Sequence, residues 1–182
     1  LYQHFANLVS SLPSSKGLSN NKFYRHDQGW HCSVVGIVGA MVADACFSAR
    51  PSDVIVATLP KSGTTWMKSL LYATVHRRER PVVGAAADQH PLNSWGPHEL
   101  IKFFEYQLYT RDRVPDLDRL PDPRLFATHV PFVSLPSSVV ATPGCKIVYV
   151  CRDPKDHLVS LWDFVNKYFR VKDGLEPLSV EA

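Results

Sequence analysis

The stretch VIVATLPKSGTTWMKSLLYA, residues 54–73, constrains the fold more than any other part of the chain. Val54 to Leu59 form an unbroken apolar, β-branched run, the pattern of a strand buried on both faces of a parallel sheet. Met67, Leu70, Leu71 and Thr74 then recur at helical spacing, so a helix begins near Thr64 or Thr65. His76, Arg77, Arg78 and Arg80 follow it, where cations suit the negative end of a helix dipole. The loop between strand and helix reads Pro60-Lys61-Ser62-Gly63-Thr64-Thr65. Such loops open on the crevice where ligands bind in open parallel sheets. The first N–H groups of the helix and its partial positive charge suit an anion there. Gly63 lets the backbone approach closely, Ser62, Thr64 and Thr65 add hydroxyls, and Lys61 adds a mobile charge. A plain strand–helix turn would need only the glycine and a capping threonine. The nucleoside-triphosphate loop places its lysine after its second glycine, whereas Lys61 precedes Gly63.

A second strand–helix unit lies near the C-terminus. CKIVYVCRD reads as another buried strand and PKDHLVSLWDFVNKYF as a helix, with Asp153 as cap and Pro154 in its first turn. That reading places Arg152 at the mouth of the crevice, where a guanidinium suits bidentate binding of a second phosphate. Ser160, two turns into the helix, adds a hydroxyl. The bland alternatives are a surface ion pair for Arg152 and a packing role for Ser160. A triphosphate loop also needs an acid ending a neighbouring strand to hold magnesium. Here that acid, Asp153, reads as a helix start, which leaves two anion sites and no metal site.

Strand, loop and helix in repetition imply an α/β fold, a parallel sheet flanked by helices. RLFATH is a short strand ending at His129, and HELIKFFEYQLY reads as a helix with Leu100, Phe103, Phe104 and Leu108 on one side. Phe103, Phe104, Tyr106 and Phe132 fit either a core or an acceptor pocket, the core being the usual fate of such stripes. Trp66 is placed both to pack its helix and to approach a ligand. Ser33 to Ala49 is apolar enough to need a membrane test. It is short for a span and contains Asp44, while Val34, Val38, Met41 and Ala45 repeat at helical spacing, so a core helix is expected. Residues 1–32, with Pro13 and Asn20-Asn21, read as an irregular lead-in, and 33–182 as the α/β portion.

The net charge of +3 in 182 residues is too slight to suggest a nucleic-acid partner. Cys32, Cys46, Cys145 and Cys151 show neither C-x-x-C nor zinc-ligand spacing, so no metal or disulfide framework is expected. No secretory pattern opens the chain, which makes a cytoplasmic setting with no membrane association the working expectation. His26, His31, His90, His98 and His157 fit surface positions, His157 on the exposed side of its helix.

LPKSGTTW (Leu59–Trp66) and IVYVCRDPKDHLVSLWDF (Ile147–Phe164) together resemble the cytosolic sulfotransferases, and RLFATHVPFVSLP (Arg124–Pro136) resembles the plant members most. The resemblance runs roughly from Ser33 to Arg170. It implies a P-loop-like sulfotransferase fold and the donor 3′-phosphoadenosine 5′-phosphosulfate (PAPS) as co-substrate, with no metal. By resemblance Lys61, Ser62, Gly63, Thr64, Thr65 and Trp66 hold the 5′-phosphosulfate, and Arg152 and Ser160 hold the 3′-phosphate. His129 would be the general base that takes the acceptor's proton, a task suited to a pKa near neutral, and Lys61 would neutralise charge on the leaving oxygen. Animal members often carry a lysine where Ala127 stands here, so that role is absent or met otherwise. The acceptor implied is a small hydroxylated molecule of plant secondary metabolism, such as a flavonoid or a steroid. The family's domain continues past the point where this chain stops, which makes the expected fold incomplete, with apolar faces uncovered, and leaves oligomeric state open. Two functions compete: an active sulfotransferase, and a truncated fragment that binds nucleotide with little or no turnover. A nucleotide-hydrolysing role is disfavoured by the lysine position and Arg152.

Overall fold

The structure, a computed structural model, describes residues 1–26, 29–84, 87–110 and 114–179. The first thirty residues are not an irregular lead-in. Helix α1 (Tyr2–Ser10) is followed by β1 (Ser14–Lys16), β2 (Lys22–His26) and β3 (Gly29–His31), which form a three-stranded antiparallel sheet. Only Val9 of α1 is fully buried. A single well-placed anchor of this kind escapes a search for repeating apolar positions.

Helix α2 (Val34–Cys46) is a core helix as expected, but on a different face from the expected stripe: Val38 is buried, Val34 and Ala45 are exposed, and Gly36, Ile37, Gly39, Ala40, Val42 and Ala43 are buried beside it. The Ser33 hydroxyl caps it by accepting from the Gly36 N–H at 3.0 Å. No described helix is long and apolar enough to cross a membrane. The glycines of α2 have a packing purpose. A β-carbon at Gly39 would sit 2.8 Å from the Glu105 Cα, and one at Gly36 would sit 2.9 Å from the Tyr106 hydroxyl. The bare helix face therefore lets the chain around Glu105 lie flush against it.

Strand β4 (Val54–Thr58) and helix α3 (Thr64–Val75) form the expected strand–loop–helix unit. After 3₁₀ turns at Ala87–Gln89 and Pro91–Asn93 comes the short helix α4 (Pro97–Leu100). The segment expected as one helix from His98 to Tyr109 breaks up here. It continues as β5 (Lys102–Phe103) and then a wide turn, Phe104–Leu108. Gln107 stabilises the break, accepting from the Phe103 N–H at 2.9 Å and donating to the His98 carbonyl at 3.0 Å. Strand β6 (Leu125–Thr128), helix α5 (Ser137–Ala141), strand β7 (Lys146–Val150) and helix α6 (Pro154–Phe164) complete the order, with a last wide turn at Val165–Arg170.

The main sheet is parallel throughout, in the order β5-β6-β4-β7. Every residue of β4 is buried, and successive side chains go to opposite faces. Ile55 and Phe126 point to the face covered by α1 and α2, where the rings of Phe47, Phe104 and Phe126 meet at 4.7–5.3 Å. Val56 and Ala127 point to the other face, against Met67 and Leu71 of α3. Strand β7 departs from its expected burial. It lies at the edge of the sheet with Tyr149 67% exposed, and α6 buries none of its residues, Leu158 and Val159 included.

The strand starts are tied by a fully buried ion pair. Arg124 Nε and Nη2 donate to the two Asp53 carboxylate oxygens at 2.8 and 2.6 Å, and Nη2 also donates to the Ser48 carbonyl. The Asp53 carboxylate accepts from the Arg50 N–H as well. Removing one member leaves the other charge buried without its partner, at a cost of about 3–5 kcal/mol. Asp53→Asn is expected to lower stability by an amount of that order; urea unfolding followed by circular dichroism measures it, and a loss below about 1 kcal/mol contradicts the role given to the pair.

Candidate functional site

Three loops leave the C-terminal ends of adjacent strands, as the strand order requires. His129 follows β6, Lys61 to Gly63 follow β4 in the centre, and Arg152 follows β7. The central loop turns on two residues in the left-handed region, Lys61 at φ 70° and Gly63 at φ 92°. For Lys61 such a conformation costs on the order of 1 kcal/mol. Alternating handedness of this kind turns peptide N–H groups into a concavity suited to an anion.

Two further observations fit this loop to an anion. Ser62 is buried, yet its hydroxyl has no hydrogen-bond partner. A β-carbon at Gly63 would have no atom within 4 Å, so the space over the loop is open and it is the backbone angle that calls for glycine. Thr64 is buried, its hydroxyl 2.6 Å from that of Thr58. Thr65 is exposed, its hydroxyl 3.1 Å from His98 Nε2. Trp66 is 71% exposed, so it does little packing and stands as a free indole face beside the loop. The Lys61 ammonium rests over the Phe164 ring of α6, 4.4 Å from its centroid.

Arg152 comes to the same loop, its Nη1 3.5 Å from the Lys61 carbonyl, with Asp156 3.9 Å from its Nε. Ser160 is half-buried on α6. Asp153 caps α6 as its sequence suggested, accepting from the Lys155 N–H at 2.9 Å. His157 is not on the exposed side of its helix: its ring nitrogen Nε2 lies 2.7 Å from the Pro60 carbonyl and fastens α6 to the loop. Of the two groups of residues read as separate anion sites, Arg152 and Lys61 therefore lie side by side.

His129 is half-buried and its ring is held from several sides. Nδ1 lies 2.7 Å from the Thr58 carbonyl, which can only accept, so Nδ1 carries the hydrogen and Nε2 is left with its lone pair. The ring contacts Phe103 at 4.5 Å and Tyr106 at 6.2 Å between centroids. Of the four aromatic residues that fitted either core or pocket, Phe104 is core, Phe103 and Tyr106 flank the histidine, and Phe132 is 65% exposed. Burial holds the His129 pKa down to about 4, well below the near-neutral value expected of a base.

Sequence reasoning missed three charged or titratable residues beside His129. Glu105, wholly buried, accepts from the His129 N–H at 2.6 Å and the Thr128 hydroxyl at 3.0 Å. Lys68, with no exposed surface, lies 3.3 Å above the Phe103 ring and 3.0 Å from His98 Nδ1. Burial pushes the Glu105 carboxyl up to about 7, against the hydrogen bonds that favour its ionised form, and brings the Lys68 amine down to about 7. Burial, and then the Lys68 charge, also lowers His98. His90 is buried too, accepting from the Leu92 N–H, and His31 is buried at the end of β3. The available signal was a charged residue inside an otherwise apolar window, Lys68 among Met67, Leu70 and Leu71 and Glu105 among Phe104 and Tyr106.

The parallel sheet thus carries an anion-shaped loop between an arginine on one side and an oriented neutral histidine on the other. The sulfotransferase domain family matches residues 51–176, and the chain belongs to that family. It is 42% identical over 166 residues to cytosolic sulfotransferase 14 of Arabidopsis thaliana, covering 91% of this chain and 47% of that protein. With cytosolic sulfotransferase 12 of the same plant it shares 43% over 169 residues, covering 92% and 50%. Among solved structures, a candidate steroid sulphotransferase of Arabidopsis thaliana superposes with a TM-score of 0.77 at 41% identity, covering 92% of this chain and 57% of that one. Mouse sulfotransferase SULT7A1, solved with PAP bound, gives a TM-score of 0.54 at 25% identity, covering 87% and 48%. The chain spans about half the length of the curated relatives it matches.

The His129 environment has a pH consequence. A histidine whose folded pKa is about 4 remains neutral while its unfolded counterpart, near 6.5, takes up a proton. Its contribution to stability is therefore complete above pH ~6.5 and is lost as pH falls toward about 4. In urea titrations across that window the midpoint of the natural chain should fall more steeply than that of His129→Gln; parallel curves would contradict the burial of a neutral ring.

Proposed function

We propose that this chain carries the donor site and the base of a sulfotransferase that moves a sulfuryl group from PAPS to the hydroxyl of a small acceptor. The single observation that most supports this is the order of groups across the sheet: histidine, anion loop, arginine, at the C-terminal ends of adjacent strands. Lys61, Ser62, Gly63, Thr64 and Thr65 would hold the 5′-phosphosulfate, with the unpartnered Ser62 hydroxyl as a ready donor. Trp66 would offer its exposed indole to the nucleotide, and Arg152 with Ser160 would take the 3′-phosphate. SULT7A1 carries PAP, the donor without its sulfuryl group, which supports the same ligand here.

In the step proposed, the acceptor oxygen forms a bond to sulfur as the bond from sulfur to the bridging phosphate oxygen breaks. The acceptor's proton passes to His129 Nε2, the free nitrogen of a ring whose tautomer is fixed by the Thr58 carbonyl. Lys61 would leave the Phe164 ring to meet the negative charge gathering on the phosphate oxygen. A low histidine pKa keeps the ring ready to accept at neutral pH, although it weakens the base. A steroid or another hydroxylated plant metabolite fits as acceptor, since the 41% identical relative is described as a candidate steroid sulphotransferase. A cytoplasmic setting is proposed from the relatives named as cytosolic.

Donor-dependent sulfation of a panel of phenols and hydroxysteroids tests the reading, using labelled donor with and without magnesium. His129→Ala and Lys61→Ala are each expected to lower turnover by about 10²–10⁴-fold without altering the magnesium independence. Turnover that survives both substitutions would overturn the site assignment. Binding of adenosine 3′,5′-bisphosphate without any turnover would reduce the proposal to a donor-binding segment of a longer enzyme.

A further inference from the structure

Lys68 is a lysine with no exposed surface, on the buried side of α3, and the reaction outlined above does not use it. Its ammonium lies above the Phe103 ring and 3.0 Å from His98 Nδ1. The other ring nitrogen of His98, Nε2, lies 3.1 Å from the Thr65 hydroxyl. The imidazole is held for this purpose, stacked on Phe103 at 5.5 Å with its backbone carbonyl accepting from Gln107. Lys68, His98 and Thr65 therefore form a continuous line from the interior of the protein to the second residue of the helix that ends the anion loop.

The line has a direction. Below about pH 7 the Lys68 amine is charged, and an ammonium has three donors and no acceptor. His98 Nδ1 must then be the acceptor, which puts the ring hydrogen on Nε2. That N–H donates to the Thr65 oxygen, and the hydroxyl hydrogen of Thr65 has to point away from His98. We propose that Lys68 and His98 are positioning residues for the anion site, fixing the Thr65 hydroxyl as a hydrogen donor to the 5′-phosphosulfate end of the donor. The inference rests on the sulfotransferase reading of the loop given above. It also supplies a buried positive charge close to His129 in a chain whose strand β6 carries Ala127 two positions before that histidine.

Reversal of the line is the informative failure. With an uncharged amine, or with no amine at position 68, His98 is free to carry its hydrogen on Nδ1, and Nε2 then accepts from Thr65 and takes its hydrogen away from the loop. The groups that bear on this charge are His98 from α4, Glu105 from the wide turn after β5 and His129 after β6.

Two measurements test the proposal. Nitrogen-15 spectra of the histidine rings, assigned by comparison with His98→Gln and recorded on the ligand-free chain near pH 6, should show His98 as the Nε2–H tautomer, and an Nδ1–H tautomer overturns the proposal. Calorimetric titration with adenosine 3′,5′-bisphosphate should show His98→Leu weakening binding by about tenfold in the natural background and by almost nothing in a Thr65→Val background. His98→Gln, whose amide offers an acceptor and a donor, should recover most of the affinity. Equal losses in both backgrounds would reduce His98 to a structural residue. A natural chain that does not bind the nucleotide at all would instead overturn the reading of the loop, whatever tautomer is found.

Discussion

The paired hydrogen bonds between Arg124 and Asp53 set the geometry on which the site depends. They join the residue before β4 to the residue before β6, and the register that follows pairs Val54 with Leu125 and Ala57 with Thr128. One step further along, Thr58 and His129 come side by side, and the histidine ring closes onto the Thr58 carbonyl. Because side chains alternate along a strand, a slip of one residue would turn the histidine to the opposite face and bury Phe126 on the wrong side. An ion pair at one end of two short strands thus determines which ring nitrogen is free at the other end.

Much of this was legible in the sequence, and the reasons differ by element. Strand β4 announces itself because its unbroken apolar run coincides with its burial, whereas the apolar spacing of α2 and α3 gives the helix but not its buried face: Val34, Ala45, Leu70 and Thr74 are exposed and Lys68 is buried. The stretch from His98 to Tyr109 misled because its apolar spacing fits a helix, while tertiary contacts break it. Phe103 pairs beside Ala127, and Glu105 must reach the His129 N–H. Nothing local encodes that demand; it comes from a strand some twenty residues later. The bare surface at Gly39 is its counterpart, a glycine whose purpose becomes visible only when Glu105 is seen lying against it.

The histidines show the same limit. As isolated letters they looked like surface residues, yet His98 and His157 each bind the anion loop or its helix, and His90 caps a turn from a buried position. Burial near His129 also inverts the usual order of acidity. The lysine and the carboxyl approach each other near 7 while the histidine falls to about 4. Such a cluster is sensitive to charge at its edge. A dianion arriving at the loop would favour the protonated state of the cluster, so its proton uptake and the occupancy of the loop are linked.

The strand order has a consequence for what evolution can alter. Neighbouring strands lie about 4.8 Å apart, a spacing set by backbone hydrogen bonds and indifferent to side chains. The histidine after β6 and the arginine after β7 stand on either side of β4, two such intervals apart at their strand ends. A ligand bridging them is measured against a ruler of roughly 10 Å that point mutation cannot stretch. This end of the sheet is in this sense dimensioned by the polypeptide itself, leaving the loops beyond the strands as the part free to drift.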